Sequence, residues 1–254
     1  MRRAPAEPAE TRARVRAVVV TATALAALMG AVACGPEPAA APALWEGPGN
    51  LLANPSFENG RDPWISLADT SPFWRDFEIS QVLAHSGKHS ALLRLDTLEV
   101  NERGTTVWGV VRNIETPTLP KRISGQYRIE NWSRGTPMQY LQVAVLLMPS
   151  EKGFPNFKDP RIPLQMAWVL TGIDRQPFQI SNRKFVFAGP AEPKTGVWVP
   201  FEFDLHRGFQ ENWGYLPEGF ASIRILFEAR YDGWQPEHGE VTGEVYYDDL
   251  YFGD

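Results

Sequence analysis

The sequence predicts an all-β protein, an antiparallel β-sandwich or jelly roll, and three observations carry that expectation. From Asn50 onward apolar and polar residues alternate with a period of two. The alternating runs are short and are separated by turn residues, and no segment shows a convincing amphipathic helical stripe. With 9 Trp and 14 Phe among 254 residues, there is also enough apolar surface to demand a core and to exclude a disordered chain.

Strands are expected, in order, at Phe77–Val82, His89–Leu95, Thr106–Arg112, Arg122–Glu130, Tyr140–Met148, Leu164–Leu170, Phe178–Phe187, Val199–Leu205, Ser222–Arg230 and Glu244–Phe252. The pattern is clear in RISGQYRIE, where Ile123, Tyr127 and Ile129 share one face and Arg122, Ser124, Gln126, Arg128 and Glu130 the other. SIRILFEAR repeats it with Ile223, Ile225 and Phe227 inward. Turn chemistry separates the runs at Ser86-Gly87-Lys88, Arg134-Gly135-Thr136-Pro137, Ala188-Gly189-Pro190 and Asp232-Gly233. Pro149–Pro163 has four prolines, which cannot serve a central ladder, so it is expected as a long loop. Only His206–Tyr215 is expected to hold a helical turn.

The first 48 residues read differently. Arg2, Arg3, Arg12, Arg14 and Arg16 precede an uncharged apolar run, Ala17–Ala33, which is the layout of a secretory signal peptide. A permanent membrane helix wants about 20 residues of stronger hydrophobicity; Thr21 and Thr23 interrupt this Ala-rich run. Ala31-Val32-Ala33-Cys34 resembles the lipobox of bacterial lipoproteins, with Ala31 where that motif favours Leu. The resemblance implies cleavage before Cys34 and lipid on that residue, the chain's single cysteine. It leaves a retained helix, or a plain signal peptide with Cys34 a free thiol, as the alternatives.

The expected organisation is therefore a signal peptide over 1–33, a Pro/Ala-rich tether over 34–48 and one domain over 49–254. The protein is expected to be exported and lipid-anchored in the bacterial cell envelope. Gly35, rather than the Asp of inner-membrane retention, favours the outer membrane or cell surface.

The formal charge of −5 conceals a more acidic domain. Taking the leader's five arginines and two glutamates from 25 basic and 30 acidic side chains leaves 20 and 28, a net charge of −8. That balance repels phosphate backbones and excludes nucleic acid as the expected partner.

Three separated segments together carry a family resemblance: Asn50-Leu51-Leu52-Ala53-Asn54-Pro55-Ser56-Phe57-Glu58-Asn59-Gly60 followed by Trp64; His85-Ser86-Gly87-Lys88-His89-Ser90-Ala91-Leu92; and Val245-Tyr246-Tyr247-Asp248-Asp249-Leu250. They resemble the opening strand, small-residue hairpin and closing strand of carbohydrate-binding modules of the cellulose- and xylan-binding jelly-roll type, within the galactose-binding-like superfamily. Gly196-Val197-Trp198 also fits, whereas the middle of the domain matches poorly. The resemblance implies a structural calcium held by Glu58 and Asp248 carboxylates with carbonyls of Ser56 and Lys88, a donor mixture that suits the ion. Asp248 is chosen over Asp249 by alignment to the motif. The alternative is that Glu58 caps a turn and the Asp pair is a solvated strand end.

A polysaccharide or other glycan is the expected ligand. Sugars offer apolar C–H faces and rings of hydroxyls, so flat aromatics beside planar polar side chains are the candidates. Trp74, Trp108, Trp213 and Trp234 stand in such settings, and Trp64 and Trp198 are assigned to packing. Catalysis is not expected. Glu202 and Asp204 share a strand face and resemble the start of the laminarinase-type E-x-D-x-x-E signature, but its third acid is missing, and a solvated polar face explains them. The four histidines have no metal-ligand spacing, and no G-x-S-x-G occurs. A surface lipoprotein that holds a protein partner is the alternative function, and a glycan-active enzyme a lesser one.

Overall fold

A computed structural model describes residues 49–97, 104–173 and 175–254. The leader, the 34–48 tether and Cys34 lie outside the described residues. Among those residues the strands are β1 (Trp74–Arg75), β2 (Glu78–Ser80), β3 (Ser90–Asp96), β4 (Gly104–Ile114), β5 (Arg122–Ser133), β6 (Gln139–Met148), β7 (Leu164–Thr171), β8 (Phe178–Ile180), β9 (Arg183–Phe187), β10 (Trp198–Asp204), β11 (Ser222–Trp234) and β12 (Thr242–Gly253). The helix α1 (Leu205–Trp213) follows β10, and a 3-10 turn (Pro236–His238) follows β11.

The strands form two sheets packed as a sandwich. One has seven strands in the order β1-β4-β11-β6-β7-β9-β8, the other five in the order β10-β5-β12-β3-β2. Pairing is antiparallel except for β1 with β4 and β7 with β9, which are parallel. Between the sheets lies one large apolar cluster that includes Phe57, Trp64, Ile123, Ile129, Val143, Phe227 and Tyr247. Alternation puts it there: on β11 Ile223, Ile225, Phe227 and Ala229 face the partner sheet, so Arg224, Leu226, Glu228 and Arg230 must face away.

The ten segments expected from alternation form strands with modest differences at their ends, and two expectations are corrected. The segment 50–60, which resembles an opening strand, forms turns and bends instead, tied to β12 by the Leu51 N–H on the Phe252 carbonyl. Phe178–Phe187 is a hairpin of two strands, because Ser181 adopts φ 52 and turns the chain back at Ser181-Asn182. The helical turn is realised as α1. Asp204 caps it by accepting the Arg207 N–H at 2.9 Å, and Gly214 (φ 82) ends it. Asp204 is thereby a cap, and Glu202 beside it is exposed, as a solvated polar face requires.

Strands β6 and β7 are buried along nearly their whole length on both faces. Only one face meets the other sheet. The opposite face carries its own apolar cluster, Val111, Ala144, Ala167 and Leu226, bordered by Leu67, Trp74, Leu146 and Phe185. Burial of an outer face without a further layer marks a concavity, and that concavity positions the site.

Candidate functional site

The outer face of the seven-stranded sheet forms a cleft of about 620 Å³, within the range of small-molecule and cofactor sites. Strand register arranges its floor in cross-strand rows. One row runs Val111, Leu226, Ala144, Ala167, Phe185 and Phe178. The next runs Gly109, Glu228, Gln142, Val169 and Phe187, and beyond it Arg230 pairs with Val107 and Tyr140. Small residues in the middle of the first row let the walls rise on either side.

The segment 65–75 builds one wall along the outer edge of β4. Ile65 exchanges backbone hydrogen bonds with Val111 at 3.0 and 2.9 Å, and the Val107 N–H donates to the Phe73 carbonyl at 2.8 Å. Trp74, half-buried, lays its indole over Gly109, where an added Cβ would come within 2.3 Å of Cζ3. Only a glycine lets the ring sit there. The β8–β9 hairpin supplies the opposite wall, with Phe178 and Phe185 stacked at 4.7 Å and 16°. Phe73 and Ile180, both largely exposed, stand at the rims.

Between the walls lies a polar network. Glu228, buried in the floor, accepts from Gln142 Nε2 at 2.6 Å and from Arg230 at 3.4 Å. Arg230 reaches Asp232 at 2.6 Å with its other arm, and Asp232 also accepts from Tyr140 Oη at 2.7 Å and Thr105 Oγ1 at 3.0 Å. Burial pushes the Glu228 carboxyl above its ordinary range, against the pull of the Arg230 guanidinium and the Gln142 amide. Two atoms in this network have no partner: Gln142 Oε1, an acceptor, and Arg230 Nε, a donor. Leaving such a group buried costs about 1–3 kcal/mol.

Of the four tryptophans singled out from sequence, only Trp74 lines the cleft. Trp108 and Trp234 are corrections: each is 4% exposed and packed on Tyr231 in the core, and so offers no face to a sugar. Trp234 also donates Nε1–H to the Gly239 carbonyl at 2.7 Å. Trp213 is likewise structural, edge-on to Phe157 at 5.3 Å with Lys184 Nζ 4.7 Å above its ring. Trp64 packs in the core, and Trp198 meets His85 edge-on at 5.6 Å. The residues that sequence reasoning missed are Gln142, Glu228, Arg230, Phe178 and Phe185. Charged and amide side chains at alternate positions of otherwise apolar strands were the available signal.

The two carboxylates expected to bind calcium, Glu58 and Asp248, are engaged by N–H donors. Glu58 Oε1 accepts the N–H groups of Lys88 and His89, each at 2.8 Å, and Oε2 faces His89 Nδ1 at 3.3 Å. Asp248 accepts the N–H groups of His85 at 2.6 Å, Ser86 at 3.2 Å and Asp249 at 2.7 Å. Both carboxylates are thus turned toward donor hydrogens, where a cation would be repelled, while calcium needs six to eight oxygen donors. The Asp pair is not a solvated strand end either, since Asp248 and Asp249 are buried; Asp249 pairs with His85 and accepts from Ser86 Oγ at 2.5 Å. Among the described residues no three His, Cys, Asp or Glu side chains gather to hold a metal. Glu58, Asp248 and Asp249 thus form a hydrogen-bonded clasp on the 85–89 turn.

No family model and no curated protein matches this sequence. Solved structures with a similar course include a family 61 carbohydrate-binding module in complex with β-1,4-galactotriose, at 15% identity over 81% of this chain and 99% of that one, TM-score 0.40. A family 28 module specific for non-crystalline cellulose is 12% identical over 82% of this chain and 97% of that one, TM-score 0.43. A proposed glycoside hydrolase of Bacteroides thetaiotaomicron is 12% identical over 74% of this chain and 62% of that one, TM-score 0.41.

Proposed function

We propose that the protein is a non-catalytic glycan-binding lipoprotein that holds a polysaccharide in the cleft of the seven-stranded sheet. The observation that carries this reading is a cleft lined by the polar residues Gln142, Glu228 and Arg230 and walled by Trp74 and by Phe178 with Phe185. A sugar offers hydroxyls to such polar side chains and C–H faces to the rings. Arg230, which stands between Glu228 and Asp232 with one arm on each, supports binding without catalysis in this cleft. A glycosidase needs its two carboxyls free to flank a glycosidic bond.

Glycan binding by the mature domain, with Trp74→Ala and Gln142→Ala compared on an array, tests the reading. Loss of signal in both variants is the expected result, and unaltered binding in both would overturn the site. Display from a membrane through lipid on Cys34 completes the proposal. No helix among the described residues is long and apolar enough to cross a membrane. Cys34→Ser is expected to release the protein from membranes, and retention of the variant would favour an uncleaved helix as anchor.

A further inference from the structure

We propose, building on the glycan reading, that the polysaccharide is acidic, carrying carboxylate or sulfate groups that meet Arg183 and Arg224. One cross-strand row of the cleft runs Asn113, Arg224, Leu146, Gln165 and Arg183, across β4, β11, β6, β7 and β9. Its two arginines are three strand spacings apart, roughly 14 Å, and face the same side of the sheet. Arg224 Nε donates to Asn113 Oδ1 at 2.8 Å, which steadies the side chain and leaves its terminal N–H groups available. Among the described residues no carboxylate lies within ion-pair distance of either arginine, although nine other arginine–carboxylate contacts are made elsewhere.

The local charge is the reverse of the chain's. The cleft is lined by Arg175, Arg183, Arg224 and Arg230 against Glu228 and Asp232, in a protein whose formal charge is −5. Arg230 is already committed to both acids, so the excess positive charge rests on the others. A concave surface of one sign concentrates oppositely charged ligands, and the planar guanidinium fork matches a carboxylate or sulfate ester in a way a hydroxyl does not. A neutral polysaccharide would find the apolar walls and the Gln142 row sufficient and would give the unpaired arginines nothing to bind.

The test compares uronic-acid polymers such as polygalacturonate, alginate and glucuronoxylan with the same polymers after chemical reduction of their carboxyls, by titration calorimetry. At least one acidic form is expected to bind tenfold or more tighter than its reduced counterpart, with the advantage shrinking as salt is raised. Sulfated polysaccharides before and after desulfation form the second arm and separate the two anionic groups. The double variant Arg183→Gln with Arg224→Gln is expected to bring acidic and neutralised forms to equal affinity. Arg94→Gln with Arg128→Gln, on the other sheet, removes the same charge and is expected to leave the preference intact. Equal affinity of the wild type for charged and neutralised forms would overturn this proposal while leaving the glycan reading standing. An equal loss in both double variants would overturn it too, by making the effect one of net charge. Absence of binding to every polymer would remove both.

Discussion

The outer faces of the two sheets are built by the same alternation and end in opposite states. On the five-stranded sheet the charged side chains consume one another: Arg94 pairs with Glu244 and Glu78, Asn131 donates to Glu244 at 3.1 Å, and Arg128 bonds Glu130 at 2.7 Å. On the seven-stranded sheet the network is as dense, yet Arg183 and Arg224 have no carboxylate partner among the described residues. Polar groups that satisfy each other need no ligand. Arginines left without a carboxylate in a cleft mark a site more sharply than aromatic content does, since Trp108 and Trp234 pack in the core and Trp213 packs on Phe157.

The contrast between faces can be broken by mutation. Trp234→Ala, in the core beneath the cleft sheet, is expected to cost about 3–5 kcal/mol of stability in a denaturant titration, with ligand affinity preserved in whatever remains folded. Trp74→Ala is expected to do the reverse, losing about 2 kcal/mol or more of binding, roughly thirtyfold, with a smaller change in stability. Gly109→Ala sharpens the point without touching a ligand group: a methyl there displaces the Trp74 ring, so affinity should fall several-fold, and an unchanged affinity would show that the ring position does not matter.

Glu228→Gln probes the same floor by pH. The native carboxyl titrates above its ordinary 4.5, so the folded state holds the proton more tightly, and this group's contribution to stability is full below that value and lost as pH rises through the raised pKa. The Gln variant should flatten that part of the stability profile, as read by thermal melts across pH. The smallest effect is expected from a chelator, which should leave the melting temperature unmoved if the 85–89 turn is clasped by hydrogen bonds alone.

Much of the fold is legible in the sequence because one buried face writes itself as a period of two, as in Ile123, Tyr127 and Ile129. The cleft is harder to read. On β6 and β7 the outer face is buried as well, so Ala144, Leu146 and Ala167 resemble core residues and the alternation that marks an outside vanishes. β1 is two residues long, too short for any period, and only its parallel pairing with β4 turns Trp74 from a loop residue into a wall. Trp108 and Trp234 sat among polar neighbours in sequence, but a strand sends neighbours to opposite sides, so those neighbours say nothing about the tryptophan itself. The clasp shows a similar limit: Glu58 and Asp248 both reach the 85–89 turn, but composition could not say whether they would face N–H groups or carbonyls.

The ends of the described domain are stitched together across almost its whole length. Asn50 Nδ2 donates to the Leu250 carbonyl at 3.0 Å, the Leu51 N–H donates to Phe252, and β12 lies in the middle of its sheet between β5 and β3. Contacts so distant in sequence are slow to find, because the intervening loop must close before they return any stabilisation. Until residues 242–253 have emerged from the ribosome, β3 and β5 have no strand between them and the 85–89 turn has no Asp248 to hold it. A domain whose central strand comes so late in its sequence stays incompletely folded until β12 arrives and gains its rigidity in one step.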